Sequence, residues 1–183
     1  PNAAGLASCG PAPRLRSGPW FGTPGGRPVR LSGLRGRVVL VHFFSTTCIS
    51  CRRALPEVEE WARRYRPAGL RVIGVLAPEF GFEQRSAVAR TALRSLDLPF
   101  PVLLDADRET YDAYRDRALP SSYLIDARGT VRSIGFGEGG AVRTETAIRT
   151  LLRAADPAAA LPPRVAETDA PRSEEHTSEL QSP

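Results

Sequence analysis

Cys48 and Cys51, two of the chain's three cysteines, stand two residues apart in the stretch Ser45-Thr46-Thr47-Cys48-Ile49-Ser50-Cys51. Thiols at this spacing can close a disulfide, supply half of a zinc site, or sit inert as small buried residues. Which of these applies depends on where the pair falls. Val38 to Phe44, just ahead of it, is a continuous apolar, β-branched run suited to a strand covered on both faces. Beyond Cys51 the period changes, and Ala54, Leu55, Val58, Trp61, Ala62 and Tyr65 recur at helical spacing. The pair therefore lies where a strand hands over to a helix. The unpaired N–H groups and partial positive charge of a helix N-terminus favour thiolate over thiol, lowering the first thiol's pKa in such sites from about 8.5 to between about 3.5 and 7.5. Cys48, at the exposed end, would attack a disulfide, and Cys51, one turn in, would resolve the mixed disulfide. A zinc site needs four ligands at suitable spacing, and outside the adapter-like C-terminal segment set aside below only His42 and the distant Cys9 remain to supply them.

The rest of the chain supplies elements to hold this junction. "LRVIGVLA" is a second apolar strand, and Phe82 to Leu96 reads as a helix, with Val88, Ala89, Ala92, Leu93 and Leu96 on one face. "FPVLLD" is a third strand and Thr110 to Tyr114 a short helical turn. "SSYLIDARGTVRSIGF" reads as a hairpin turning at Ala127-Arg128-Gly129, and Ala141 to Leu152 closes as a helix. The order βαβα followed by ββα specifies an α/β architecture in which parallel strands come first and an antiparallel hairpin last.

Composition bounds the alternatives. With 183 residues, 42% of them hydrophobic, the chain suits one globular domain with additional length. No apolar run reaches the roughly 18 residues that a membrane helix needs. There is no methionine, so the chain reads as a fragment or a processed product. Residues 1–19, rich in Pro, Gly and Ala, read as a linker or membrane-proximal segment, residues 20–153 as the domain, and residues 154–171 as a second, Ala/Pro-rich linker. Arg172 to Pro183 resembles the in-frame translation of a sequencing adapter and is set aside as a disordered artefact. Without its one Arg and three Glu the net charge moves from +5 to +7, and His42 becomes the only histidine left to consider. Every basic residue is Arg, consistent with a GC-rich coding bias, and the arginines are scattered without interleaved aromatics. That pattern is a solvated basic surface rather than a nucleic-acid site.

Leu119-Pro120-Ser121 immediately precedes the strand "SSYLID". In isolation this proline would simply start a strand. Following a Cys-x-x-Cys in this element order, it resembles the cis-proline loop that faces the dithiol in thioredoxin-like proteins. Trp20 to Leu152 is similar to the TlpA-like branch of the thioredoxin superfamily, and within it to the DipZ-like extracytoplasmic thiol:disulfide oxidoreductases. The segments that carry the likeness are "WFGTPGGRP", "LRGRVVLVHFF", "TCISC", "VIGVLAPEFGFE", "YLIDARGTVR" and "FGEGG", in that order. The resemblance implies a thioredoxin-like fold, a central mixed β-sheet flanked by helices, with an N-terminal β extension. It implies Cys48 and Cys51 as the catalytic pair, and Thr47, Ile49, Ser50, Leu119 and Pro120 at the substrate. No cofactor is implied. The implied partners are disulfide-bearing exported proteins and a CcdA-type membrane electron-donor domain, in some chains part of the same polypeptide, with no nucleic acid. The implied location is extracytoplasmic, the periplasm or outer face of the cell membrane, and membrane-tethered.

Some positions depart from the pattern or leave two readings open. Thr47 stands where thioredoxins usually carry Trp, a change that fits the DipZ-like group. His42 replaces a buried Asp that helps deprotonate the second cysteine; it is either a proton relay or a hydrogen-bonded core histidine. Leu119 stands where the close group tends to have an aromatic, which bears on substrate preference. Glu79 is either a second proton acceptor at the site's rim or a solvated loop residue. "LASC" at Leu6 to Cys9 resembles a lipobox, so Cys9 is either a lipidation site or a linker cysteine. Two rival functions stand beside thiol:disulfide exchange: a peroxiredoxin-like thiol peroxidase suggested by Ser45-x-x-Cys48, and a non-catalytic copper/zinc-handling or cytochrome-assembly module.

Overall fold

A computed structural model describes residues 5–165. The adapter-like segment, residues 172–183, lies outside them. The strands are β1 (Trp20–Phe21), β2 (Val38–Phe44), β3 (Leu70–Leu76), β4 (Val102–Leu104), β5 (Ser121–Ile125) and β6 (Val131–Phe136), and the helices α1 (Ile49–Arg64), α2 (Ser86–Leu96), α3 (Glu109–Ala113) and α4 (Ala141–Ala155). The strands form one sheet in the order β1-β4-β3-β2-β5-β6. β2, β3 and β4 are parallel, while β5 and β6 join as the antiparallel hairpin and β1 pairs antiparallel with β4 at the far edge. This is the α/β sheet with an N-terminal β extension that the sequence led us to expect.

β2 explains why its sequence shows no alternation. All seven of its residues are buried, with Val38, Leu40 and Phe44 in a core shared with α1, α2 and α4, and Val39, Val41 and Phe43 in a second core shared with Tyr111, Tyr114 and Tyr123. A strand covered on both faces must be apolar on both. His42 takes a position where this logic asks for a hydrocarbon, on the parity that faces α1.

The start of α2 differs from the sequence reading. Residues 82–84, expected to begin α2, belong instead to a separate 3-10 turn, Gly81–Gln84, in which Glu83 accepts hydrogen bonds from the N–H groups of Glu79 and Phe80. A carboxylate capping its own turn in this way competes with continuation of the helix. α1 runs its full length through Pro56, which supplies no N–H to the helix ladder.

The Pro-rich flanks are held against the domain. Cys9 and Ala12 donate their N–H groups to the Val131 and Gly129 carbonyls at 2.9 Å, and Leu104 N–H donates to Pro19 O at 2.9 Å. After α4 the chain doubles back: Arg149 Nη1 donates to Pro162 O at 2.5 Å, and Val165, buried against the helical core, donates its N–H to Glu145 Oε1 at 2.8 Å. Glu145 also accepts from the Tyr65 hydroxyl at 2.6 Å, joining this strap to α1.

Candidate active site

The end of β2 delivers the chain into Ser45–Thr47 and then into α1, with Cys48 as the N-cap residue in extended conformation. Cys51 N–H donates to Cys48 Sγ at 3.1 Å, so the sulfur occupies the place that a Ser or Asp oxygen takes in an ordinary N-cap. The two cysteines are joined as a disulfide with Cα atoms 5.2 Å apart. Cys51 is fully buried and Cys48 partly exposed, so an attacking thiolate from outside meets Cys48 first. Ser50 Oγ lies 3.3 Å from Cys48 Sγ, and Thr47 and Ile49 are exposed beside it.

Opposite this sulfur stands the turn before β5. The Leu119–Pro120 peptide bond is cis, and the Leu119 carbonyl oxygen lies 3.9 Å from Cys48 Sγ. Two contacts hold the turn: Gly137 N–H donates to Pro120 O at 2.7 Å, and Ser121 Oγ donates to the buried Asp116 carboxylate. Burial holds the Asp116 carboxyl above the ordinary carboxylate range.

His42 is buried beneath this arrangement. Its Nδ1 pairs with Ser122 Oγ at 2.9 Å across the β2–β5 ladder, and desolvation lowers its pKa from 6.5 to about 4. At neutral pH the ring is therefore uncharged and can carry a proton on one nitrogen only. Among the described residues, His42 Nε2 and Trp61 Nε1 have no hydrogen-bond partner. Both residues line the same cavity of about 170 Å³, between α1, the Pro120–Ser122 turn and the loop after β6. The cavity is roomy enough for water to serve both nitrogens.

The carboxylate built into this site is Glu83. The Glu79 side chain is exposed and, among the described residues, makes no hydrogen bond. Only its backbone N–H takes part, donating to Glu83. Glu83 is 1% exposed and accepts from Ser45 Oγ and Thr46 Oγ1, each at 2.9 Å, besides the two N–H groups of its own turn. Burial alone would raise its pKa, but these four hydrogen bonds outweigh it and hold Glu83 below its ordinary value. Sequence reading passed over Glu83 because its position fitted a helix; its place in "APEFGFE", four residues after Glu79, was the available signal. Asp116 and Trp61 were missed as well, because neither neighbours the cysteines in the chain.

Large apolar side chains are exposed at the start of α1 and on the turn fastened to the cysteine loop, beside the exposed Thr47, Arg52 and Arg53. Ile49 is 69% exposed, and Phe80 and Phe82, on the turn that Glu83 fastens to the cysteine loop, are 56% and 48% exposed with their rings stacked 5.9 Å apart. Cys9 lies elsewhere: exposed and unpaired, it sits beside Val131, at the end of the sheet opposite the dithiol. Among the described residues no group of three or more His, Cys, Asp or Glu side chains is gathered as a metal site would require, and no helix is long and apolar enough to cross a membrane.

Comparison with known proteins gives this arrangement its relatives. Protein DipZ of Mycobacterium tuberculosis is 46% identical over 162 residues, which is 88% of this chain and 23% of that protein. Thiol-disulfide oxidoreductase ResA of Bacillus subtilis is 29% identical over 112 residues, 61% of this chain and 60% of ResA. The chain thus spans less than two thirds of either relative. Among solved structures, a thiol-disulfide isomerase from Corynebacterium glutamicum superposes with a TM-score of 0.68 at 25% identity, over 77% of this chain and 96% of that one. Residues 15–134 match the AhpC/TSA family model, a span that holds the dithiol, Glu83 and the cis-proline turn. The chain therefore belongs to the AhpC/TSA family, and its sheet, helices and capped cysteine pair form a thioredoxin-like domain.

Proposed function

We propose that the domain is a thiol:disulfide oxidoreductase that exchanges its Cys48–Cys51 pair with disulfides of other proteins. The observation that carries this reading is the capped geometry of Cys48: its sulfur receives an N–H bond at the helix N-terminus while remaining open to solvent. In the reduced protein the same N–H and the helix end stabilise the Cys48 thiolate. That thiolate attacks one sulfur of a substrate disulfide, expelling the other as a thiolate and forming a mixed disulfide. The buried Cys51 thiol then loses its proton and attacks Cys48 Sγ, which closes the intramolecular bond and releases the substrate's second thiol. His42, neutral beneath the site, relays the proton through the cavity that it lines.

Substrates dock on the apolar rim. Ile49, Phe80 and Phe82 supply contact area, Thr47 and Ser50 flank the sulfur, and Leu119 and Pro120 present backbone to an extended segment. The likeness to DipZ and ResA supports exported proteins as substrates, acting as a reductant fed by a CcdA-type membrane donor, with the domain tethered on the extracytoplasmic side. The peroxidase reading has less support, because the Ser45 hydroxyl is buried and spent on Glu83 and Thr47.

Cysteine exchange is the direct test. Cys51→Ser should accumulate a mixed disulfide with a disulfide-bonded protein, and Cys48→Ser should not. Equal trapping by both variants, or peroxide consumption by the wild type faster than disulfide reduction, would refute the proposal. The potential of the pair, set against a glutathione buffer, tests the direction: a value near about −270 mV supports a reductant, and one near about −120 mV reverses it.

A further inference from the structure

We infer that a groove on the face of the sheet opposite α1 is a binding site for an anionic amphiphile, a molecule with a phosphate or carboxylate head and an apolar body. The groove lies between the tethered N-terminal segment and the 3-10 turns before β2, and encloses about 660 Å³. Small-molecule sites measure about 300–1,000 Å³.

Its lining has a single sign of charge. Arg14, Arg16, Arg30 and Arg35 border it and no Asp or Glu does. All four are exposed, and none is in an ion pair among the described residues, whereas the arginines of α1 and β6 that form ion pairs each have a carboxylate partner. Four guanidinium groups around one groove repel each other until an anion enters, and the guanidinium fork matches phosphate or carboxylate oxygens.

The wall beneath is apolar and fixed. Leu15, Val29 and Leu31 line the groove and pack against the tyrosine-rich core. Arg16 N–H donates to Thr110 Oγ1 at 3.0 Å, which together with the bonds at Ala12 and Pro19 holds the segment in place. Arg35 lies against Gly129, where any Cβ would collide with its guanidinium. An inorganic anion would neutralise the arginines and leave the apolar wall wet; a neutral lipid would do the reverse. Arg35 precedes β2 and Cys48 follows it, so the length of a seven-residue strand, roughly 23 Å at about 3.3 Å per residue, separates this arginine from the dithiol, while Arg16 and Trp20 lie level with the C-terminal end of β4, on the sheet face opposite α1. A bound molecule takes no part in sulfur exchange and instead holds this face.

The test uses the full chain and dihexanoyl phosphatidylglycerol as a monomer, followed by calorimetry. Saturable one-to-one binding is expected, weakened about tenfold or more in Arg14→Gln/Arg30→Gln and unchanged in Arg63→Gln on α1. Phosphatidylglycerol vesicles then identify the source: binding to them with the same arginine dependence assigns a membrane lipid, and binding to the monomer alone assigns a soluble amphiphile. Inorganic phosphate or dihexanoyl phosphatidylcholine binding as tightly as the phosphatidylglycerol, or full affinity in the double variant, would overturn the inference. Disulfide exchange by the double variant should match wild type, which keeps this test independent of the dithiol.

Discussion

Ser45 and Glu83, separated by 38 residues, share a 2.9 Å hydrogen bond that fastens the turn after β3 to the loop carrying the cysteines. Hydrogen bonds to a charged acceptor contribute about 1.5–3 kcal/mol each, less where the bonds are coupled. Glu83→Ala should therefore destabilise the domain by about 3 kcal/mol, and Glu83→Gln by about half as much, read as shifts in the urea midpoint. Both should also slow disulfide exchange, since the Ser45–Thr46 segment that leads into Cys48 loses its anchor. An unchanged midpoint for Glu83→Ala would show that the carboxylate is replaceable by solvent.

The same two layers of structure predict how stability responds to acid. His42 titrates near pH 4 when folded and near 6.5 when unfolded, so between these values the unfolded chain binds the extra proton. Stability should rise with pH across that window and fall by about 3 kcal/mol on going from pH 7 to below pH 4. The depressed Glu83 carboxyl adds a second loss that begins below its ordinary value, near pH 4.5, and grows as pH falls toward its folded value. In His42→Gln the slope between pH 6.5 and 4 should flatten, leaving only the carboxylate contributions. A His42 ring resonance, identified by its loss in His42→Gln, titrating at pH 6 or above in folded protein would contradict this.

Phe80 and Phe82 are exposed and absent from both core clusters, which suits the docking role proposed for them. Replacing both with Ser should lower kcat/KM for a protein disulfide about tenfold, the scale of losing part of two aromatic contacts, while leaving the unfolding midpoint nearly unchanged. A large drop in stability would instead make them part of the folded frame.

Removing residues 156–183 should destabilise the domain by about 3 kcal/mol, because Val165 leaves the helical core and its N–H leaves Glu145. Thermal unfolding measures it. Were the segment a free linker, the truncated chain would melt with the full one.

That last contrast shows which features composition conveys. The β2–α1 junction was legible because burial on two faces forces a continuous apolar run and helical burial forces a period, and both are written in side chains. The bonds that pin Cys9, Ala12 and Pro19 run through backbone, which every residue type carries, so a Pro/Gly/Ala-rich stretch reads as a linker whether or not it is tethered. Glu83 was hidden for a different reason: a glutamate in a helical pattern and one that ends a 3-10 turn look alike until the loop across from it is placed. His42 was legible as an anomaly, and its cavity was not, since Trp61 and Ser122 reach it from other elements.

β2 has a partner on each edge and cover on each face, so its amides should be among the last in the molecule to trade hydrogen for deuterium. The sulfurs sit at the N-terminus of α1, directly after this strand. Between Phe44 and Ile49 only Ser45–Cys48 lie outside regular structure, so the first sulfur is carried within one short bend of a strand anchored on every side.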